Sequence, residues 1–400
     1  MECVILAAGE GKRMRPLTTS RPKVMLPLAN RPMLEHLMNS VMEAGITDFI
    51  FVVGYHEEAV RNYFGDGSAF GAKIRYAVQR RQRGTADALN AVKGLISDDF
   101  LLLNGDMVIN AEDISGLSGE VSPCMGVFKS SHPQDYGVIT TEGNRITGIF
   151  EKTSEPKGDL INAGAYLLEP GIFNILSALE LSERGEFELT DALSEYVKTG
   201  NLTIYNLSEW GDVGEPWNLL DANASMLENL KGRIEGEIED FVILKGAVSL
   251  GKGSTIRSGT YIEGPCIIGE NCTVGPHAYI RGATSVGDNC HIGHSSELKN
   301  SVILPDTKIP HFNYIGDSVI GSKCNFGAGS KIANLRHDKR DIMAGDRNTK
   351  RRKFGAVVGD GVLFGINSSV NPGTIIGSGV KVAPCSLVEG KISDNTKYGR

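Results

Sequence analysis

Aliphatic residues recur at every sixth position through the second half of the chain. From Leu244 the step of six lands on Leu250, Ile256, Ile262, Ile268, Val274, Ile280, Val286, Ile292, Leu298 and Leu304. A second phase runs Val358, Phe364, Val370, Ile376, Val382 and Val388. A helix turning once per about 3.6 residues cannot keep such a period on one face. A coil with three flat sides can. Each side takes six residues and one aliphatic side chain points inward. Glycine or a small polar residue makes the corner, the role expected of Gly251, Gly269, Gly275, Gly287, Gly293 and Gly377. Stacked coils then form a parallel β-helix of triangular section. Between Leu304 and Val358 the phase breaks, and the polar stretch Leu335 to Arg352 leaves the pattern. This predicts a loop thrown out from one coil, where solenoids carry ligand contacts.

The first 225 residues alternate strand and helix patterns instead. Cys3–Ala8, Phe49–Val53, Ile74–Val78 and Phe100–Leu103 read as buried strands. Helices are expected from Asn30-Arg31-Pro32 to Ala44, from Glu57 to Phe64, and from a Thr85 cap to about Val92. Alternation of this kind predicts an α/β, Rossmann-like domain with a mainly parallel sheet and ligands at the strands' carboxyl ends. The expected layout is residues 1–225 for this domain, 226–240 for a linker helix and 241–400 for the β-helix.

Composition narrows the partners. A net charge of −7 disfavours a chain that holds nucleic acid. The one dense basic run, Lys350-Arg351-Arg352-Lys353, reads as a solvated or phosphate-binding loop. Forty-nine glycines are well above the ordinary share, and many of them fall in the repeat. Seven cysteines without a C-x-x-C pair indicate reduced thiols in a cytoplasm. Neither a signal peptide nor an apolar stretch of membrane-spanning length is expected.

Candidate chemistry begins where the first strand ends. Leu6-Ala7-Ala8-Gly9-Glu10-Gly11-Lys12-Arg13-Met14-Arg15-Pro16 is a glycine-rich turn with three basic residues, able to cradle phosphate. Met14 stands where a dinucleotide fingerprint needs glycine. Leu6 and Arg13 stand where a Walker loop needs glycine and Ser or Thr. Asp106 follows a buried strand and Asp212 sits in Trp210-Gly211-Asp212-Val213-Gly214; an aspartate in a Gly-Asp turn is by itself ordinarily a turn-stabilising side chain. In the repeat, His311 lies at an expected coil corner and has the side chain whose ordinary pKa suits general-base catalysis near neutrality.

Leu6-Ala-Ala-Gly-x-Gly-x-Arg-Met-x-Pro, followed by Arg21-Pro22-Lys23, resembles the signature of sugar-phosphate nucleotidylyltransferases. Gln79 with Gly84-Thr85-Ala86, Gly105-Asp106, Tyr136-Gly137, Glu151-Lys152, Asn162-Ala163-Gly164 and Trp210–Gly214 follow in that family's order. The resemblance implies that Leu6, Ala8, Gly9, Gly11, Gln79, Gly84 and Thr85 bind nucleotide, with Gln79 and Gly84 reading the base. It gives Gly137, Glu151 and Asn162 to the sugar and Lys152 to its phosphate. It makes Arg13 and Lys23 the neutralising cations, and Asp106 and Asp212 ligands of Mg²⁺.

Pro310-His311-Phe312-Asn313-Tyr314-Ile315-Gly316 resembles the corresponding segment of bifunctional UDP-N-acetylglucosamine pyrophosphorylase/glucosamine-1-phosphate acetyltransferases. By that resemblance the β-helix is left-handed and His311 is the base. Tyr314, Arg281, Glu297 and Lys299 bind the amino-sugar phosphate. Asn325, Gly327, Ala328 and Asn334 contact substrate and acetyl-CoA, with a backbone N–H near Ala328 facing the oxyanion. A lysine follows that asparagine closely in the bacterial enzymes. Here an insertion intervenes, and Lys339, Lys350 and Lys353 compete for the place, Lys353 being preferred. The layout resembles the archaeal bifunctional enzymes. It implies UTP or dTTP, sugar 1-phosphates and acetyl-CoA as ligands, no nucleic acid or membrane partner, a homotrimer, and a cytoplasmic location. The alternative is a monofunctional glucose-1-phosphate thymidylyl- or uridylyltransferase whose β-helix is structural.

Overall fold

The computed structural model describes residues 1–151, 155–182 and 185–399. The chain divides into two compact units. The first comprises Met1–Glu10, Arg21–Met25 and Met33–Asp212; the second comprises Gly11–Ser20, Leu26–Pro32 and Val213–Arg400. The glycine-rich turn is thus split at Gly11.

The first unit is built on nine strands: β1 (Glu2–Leu6), β2 (Asp48–Val53), β3 (Lys73–Val78), β4 (Phe100–Asn104), β5 (Cys124–Lys129), β6 (Val138–Glu142), β7 (Arg145–Phe150), β8 (Leu160–Leu168) and β9 (Thr203–Asn206). Their order in the sheet is β3-β2-β1-β4-β8-β5-β9-β7-β6. Strands β1 to β4 pair in parallel. Beyond β4 the sheet is mixed, because β8 runs antiparallel to both β4 and β5. The parallel strands have near-continuous apolar runs because both faces are covered. Cys3, Ile5, Phe49, Phe51, Leu101 and Leu103 enter the core on one face. Val4, Ile50, Val52, Phe100 and Leu102 enter the core on the other.

The helix Glu57–Phe64 follows the expected pattern, whereas the one expected to open at Asn30-Arg31-Pro32 begins only at Met33, because Arg31–Pro32 pair antiparallel with Pro27–Leu28; it runs to Glu43, with Gly45 at φ 90° just beyond. The helix expected from a Thr85 cap spans Thr85–Asn90, and its N-cap is Gly84. Thr85 does not cap it; its hydroxyl accepts from the Leu189 N–H at 3.0 Å.

In the second unit three parallel sheets of nine, eight and eight strands stack as a left-handed β-helix. The inward column contains nearly every aliphatic residue of the six-step pattern. Register locates the phase change more closely than the sequence does. Val286 pairs with Ile303, not Leu304, and Ile303 with Ile320. Ile309, Ile315, Phe326 and Ile332 continue the inward column, so the repeat runs through the segment read as a break. Sides leading into the first and second sheets keep the step of six throughout, as in Ile303 to Ile309 to Ile315. All irregularity lies on the side between the second and third sheets. There the step falls to five at Leu298–Ile303 and Ile315–Ile320, rises to 26 at Ile332–Val358, and falls to four at Val388–Ile392 in the last coil. The long step is the expected loop, closed at its base by a Leu335–Lys353 bridge and carrying a hairpin at Met343–Ala344 and Arg347–Asn348.

Gly251 and Gly269 are not chiefly corner-makers: a Cβ on Gly251 would stand 2.6 Å from the Gly269 carbonyl carbon of the next coil. Many left-handed corners are occupied by Asn271, Asn289, Asn300, Asp306 and similar residues, whose short polar side chains tolerate that conformation. The linker helix expected at 226–240 lies earlier, at Asn218–Glu228. The chain after it already joins the β-helix at Ile234, which bridges Leu250, and at Glu237–Ile238.

Candidate active sites

In the first unit, β1 and β4 are neighbours in register, Leu6 opposite Asn104. Asp106 therefore emerges beside the start of the glycine-rich turn, and the Gly105 N–H donates to the Leu6 carbonyl at 3.0 Å. A short antiparallel ladder pairs Asp212 with Met107 and Gly211 with Val108. That ladder brings the two aspartates, far apart in sequence, to one place. Lys23 opens a single 3-10 turn, Lys23–Met25. Its ammonium donates to Asp106 Oδ2 and stands 3.6 Å from Asp212 Oδ1. The lysine side chain is 8% exposed, the carboxylates 33% and 23%.

Two supports come from tertiary contacts, the first through a residue that no motif marks. Asp113, buried on the helix Ala111–Ser118, accepts from the Ser208 and Glu209 N–H groups at 2.9 to 3.0 Å and from the Ser208 hydroxyl at 3.0 Å. It fixes the entry to the Trp210–Asp212 turn. Trp210 donates from Nε1 to the Ala163 carbonyl at 2.8 Å and packs edge-on against Tyr136 at 5.2 Å. Through these contacts the Tyr136-Gly137 and Asn162-Ala163-Gly164 motifs lie against the aspartate turn.

Gly137, Glu151 and Asn162 come together. A Cβ on Gly137 would be 3.7 Å from Glu151 Oε1 and 3.9 Å from Asn162 Cβ. Glu151 accepts from Thr190 at 3.0 Å, and Asn162 Oδ1 accepts from the Gly164 N–H and the Tyr166 hydroxyl at 3.0 and 2.9 Å. Burial holds Tyr166 far above the ordinary phenol range. Lys152 lies outside the described residues.

Gln79 is buried and donates from Nε2 to the Gly84 carbonyl at 3.0 Å and to Asp87 at 2.9 Å. With both N–H groups engaged, Oε1 is its remaining acceptor. Gly84 has a local reason to be glycine: its φ is 112°, and a Cβ would lie 2.3 Å from the Phe187 carbonyl oxygen. Ala8 is buried beneath β2, its carbonyl accepting from the Tyr55 N–H at 3.1 Å and from Gln82 at 2.8 Å. Gly9 has open space around its Cα, and Gly11 adopts φ 68°.

Arg13 belongs to the second unit, where its guanidinium stands 3.7 Å from Glu215. Its carbonyl receives two N–H donors from Arg347 of the loop hairpin at 3.2 and 3.3 Å. Arg347 also pairs with Glu215 and lies over the Trp217 ring at 5.2 Å. Neither Glu215 nor Arg347 carries a local sequence signal.

On the β-helix, the second sheet sets Arg281 opposite Lys299 and Glu297 opposite Tyr314 in adjacent coils. Arg281 donates to Glu297 at 2.8 and 2.9 Å. Asp317, missed in the sequence, ties Lys299 to Asn300 and Asn334. Buried at the corner after the sheet, it accepts from Lys299 at 2.8 Å, from Asn300 at 2.8 Å and from Asn334. Burial, then the neighbouring Glu297 and Asp317 carboxylates, raise the Tyr314 phenol above its ordinary value. Asp317 also lines a cavity of about 590 Å³ with Leu335, Lys339, Arg351, Arg352 and Lys353. Of the three competing lysines, Lys339 and Lys353 line it.

His311 ends its strand on the first sheet, opposite His294, and the chain turns at Phe312, φ 52°, before Tyr314. Asn325 pairs with Lys308 on the same sheet. Gly327 packs against the next coil, and the Ala328 carbonyl accepts from Asn367 at 2.8 Å. The Gly329 N–H is engaged by the His311 carbonyl at 3.0 Å. Among the described residues no group of three or more His, Cys, Asp or Glu could hold a metal.

The Nucleotidyl transferase family model matches residues 2–229, and the GMPPB C-terminal domain model matches residues 262–392. The chain is similar to "Bifunctional protein GlmU" of Methanococcus maripaludis, at 43% identity over 99% of this chain and 96% of the relative. It is also similar to a "Bifunctional sugar-1-phosphate nucleotidylyltransferase/acetyltransferase" of Sulfurisphaera tokodaii, at 37% identity over 97% of each. A crystal structure from Bacillus anthracis, described as a glucose-1-phosphate thymidylyltransferase with sucrose, superposes at TM-score 0.53 and 30% identity. It covers 58% of this chain and 98% of that one.

Proposed function

Because the chain belongs to the nucleotidyl transferase family, and within it to the bifunctional sugar-1-phosphate nucleotidylyltransferase/acetyltransferases, we propose that it makes UDP-N-acetylglucosamine in two steps. The β-helix acetylates glucosamine 1-phosphate from acetyl-CoA. The α/β domain then couples N-acetylglucosamine 1-phosphate to UTP and releases pyrophosphate. The observation that carries the reading is the convergence of Lys23, Asp106 and Asp212 in the first unit.

In the second step a sugar-phosphate oxygen attacks the α-phosphorus and pyrophosphate leaves. Joining two polyanions is largely a problem of positioning and charge neutralisation. Asp106 and Asp212 fit a Mg²⁺ ion: two hard oxygen donors already turned toward one cation, with phosphate and water completing the shell. Bound there, Mg²⁺ would supply neutralising charge on the phosphates. Lys23 and Arg13 add cationic charge, and the Leu6–Gly11 turn, with Ala8 and Gly9, lines the nucleotide. Gln79 Oε1 accepts from the imide N–H of uracil, while Gly84 and Thr85 shape that wall. Gly137, Glu151 and Asn162 hold the sugar, and Lys152 is assigned its phosphate.

In the first step the amine attacks the thioester carbonyl, a C–N bond forms, the C–S bond breaks and CoA thiol leaves. His311 takes the ammonium proton. Tyr314, a neutral phenol at neutral pH, with Arg281, Glu297, Lys299 and Asn334, binds the amino-sugar phosphate. Lys353 extends the positive wall, and Asn325, Gly327 and Ala328 border the acetyl-CoA. The enzyme is assigned to the cytoplasm, supported by seven free cysteines, six of them buried. No helix among the described residues is long and apolar enough to cross a membrane.

The test separates the steps. Asp212→Asn is expected to lower pyrophosphate release at least a hundredfold and leave acetyl transfer intact, and His311→Ala to do the reverse. Should the intact protein lack acetyl transfer from acetyl-CoA, the β-helix is structural. Crossing UTP and dTTP with glucose, glucosamine and N-acetylated 1-phosphates fixes the preferred substrates.

A further inference from the structure

We propose that Lys23 guards the cation position. In the free enzyme its ammonium occupies the mouth between Asp106 and Asp212, and a divalent ion enters only when nucleotide phosphates draw the lysine away. The inference rests on the reading of those aspartates as metal ligands.

Three observations carry it. First, one ammonium serves both carboxylates: it hydrogen-bonds Asp106 Oδ2 and lies 3.6 Å from Asp212 Oδ1. A divalent ion using those oxygens would sit close beside it, and two cations sharing the same donors repel strongly at such distances. Second, the backbone that delivers Lys23 is fixed. Val24 is 4% exposed, and its Cγ1 lies where a Cβ on Gly105 would be only 2.9 Å away. The lysine turn is therefore packed against the residue preceding Asp106, and only the side chain can yield. A lysine suits that motion, being a point charge on a flexible four-carbon stem. Third, two carboxylates are too few donors for Mg²⁺, which takes six ligands and favours phosphate and water. The triphosphate brings both the missing metal ligands and new acceptors for the ammonium. Loading the metal and releasing the lysine are then one event.

A lysine so buried also cannot leave without a partner, since a desolvated unpaired ammonium is costly. Water alone does not replace the carboxylates for it; phosphate oxygens do. The gate consequently couples metal affinity to nucleotide and keeps the free enzyme from taking up stray divalent ions.

The experiment measures Mn²⁺ binding to the full-length protein by electron paramagnetic resonance, with and without UTP and with no sugar phosphate present, the Mn²⁺–UTP signal being subtracted. Wild type should bind Mn²⁺ weakly alone and tightly with UTP. Lys23→Met, which keeps a four-atom unbranched stem but lacks the ammonium, should bind Mn²⁺ without nucleotide at least tenfold more tightly than wild type. Lys23→Arg, which keeps the charge, should remain nucleotide-dependent. Circular dichroism confirms that each variant is folded, and Lys23→Gln replaces the methionine variant if that one is not. Lys23→Met or Lys23→Gln binding no tighter than wild type overturns the gate, as does free binding by Lys23→Arg. Asp106→Asn and Asp212→Asn in the presence of UTP test the underlying reading. If they leave Mn²⁺ binding unchanged, the carboxylates are not the ligands. If they abolish it while Lys23→Met gains nothing, the gate alone fails.

Discussion

His291 lies partly buried on the first sheet of the β-helix, opposite Lys308 of the next coil. Burial, then the charges of His311, Arg257 and Lys308, hold its pKa below the ordinary 6.5. The sign follows directly. Well above pH 6.5 the imidazole is neutral whether the chain is folded or not. Below it the unfolded chain binds the proton first, so stability falls as pH drops from about 7 toward 5. Urea titrations at pH 7.5 and 5.5 should show this loss, and His291→Gln should reduce it. An unchanged slope would mean that other groups govern acid sensitivity. Single residues were unevenly legible in the sequence. Asp106 and Asp212 stood out because motifs in a fixed order surround them. Asp113 and Asp317 did not, because their partners are set by tertiary register: Ser208 lies 95 positions from Asp113. Gly84 was legible as a glycine but not for its reason, which is the approach of the Phe187 backbone.

Elements show the same division between local and non-local information. The six-residue period wrote the β-helix into the sequence because each inward residue reports its own place. The one-residue shortening at Ile303 was hidden, since Leu304 is also aliphatic and also buried. The helix Asn218–Glu228 is expected too late in the chain because no side chain caps its start; burial of Leu219, Leu220, Leu227 and one asparagine holds it instead. Asn223 Oδ1 accepts from the Ala29 N–H at 2.9 Å and the Ser285 hydroxyl at 2.5 Å, and its Nδ2 donates to the Ala283 carbonyl at 3.1 Å. It ties the helix to a coil and to the Leu26–Pro32 segment, all within the second unit. Removing it strands three polar groups, each costing about 1–3 kcal/mol when buried. Asn223→Ala should therefore lower unfolding free energy by at least about 2 kcal/mol, read from the denaturant midpoint at unchanged m-value. A loss under about 0.5 kcal/mol would show that water replaces the amide.

At the scale of the β-helix, three large apolar side chains stand exposed near the edge that carries His311. Phe312 is 56% exposed, Ile366 51% and Leu387 57%, all on or near the edge joining the first and second sheets. Apolar side chains gathered along one edge suit an interaction surface. The expected occupant is a second copy packed around a threefold axis, with acetyl-CoA in the groove between coils. Sedimentation at micromolar concentration should give three times the chain mass, and Ile366→Glu with Leu387→Glu should reduce it to the monomer. A wild-type monomer would rule this assembly out.

Every departure from six residues falls between the second and third sheets, where steps of five and of 26 follow one another without disturbing the strands that stack above and below. The prism therefore has a single editable seam. Chain can be removed or spliced in along that line while the other two edges keep the stack in step. Specificity for new acceptors is best sought by grafting different inserts between Ala333 and Phe354, on a scaffold that already accommodates its largest one there.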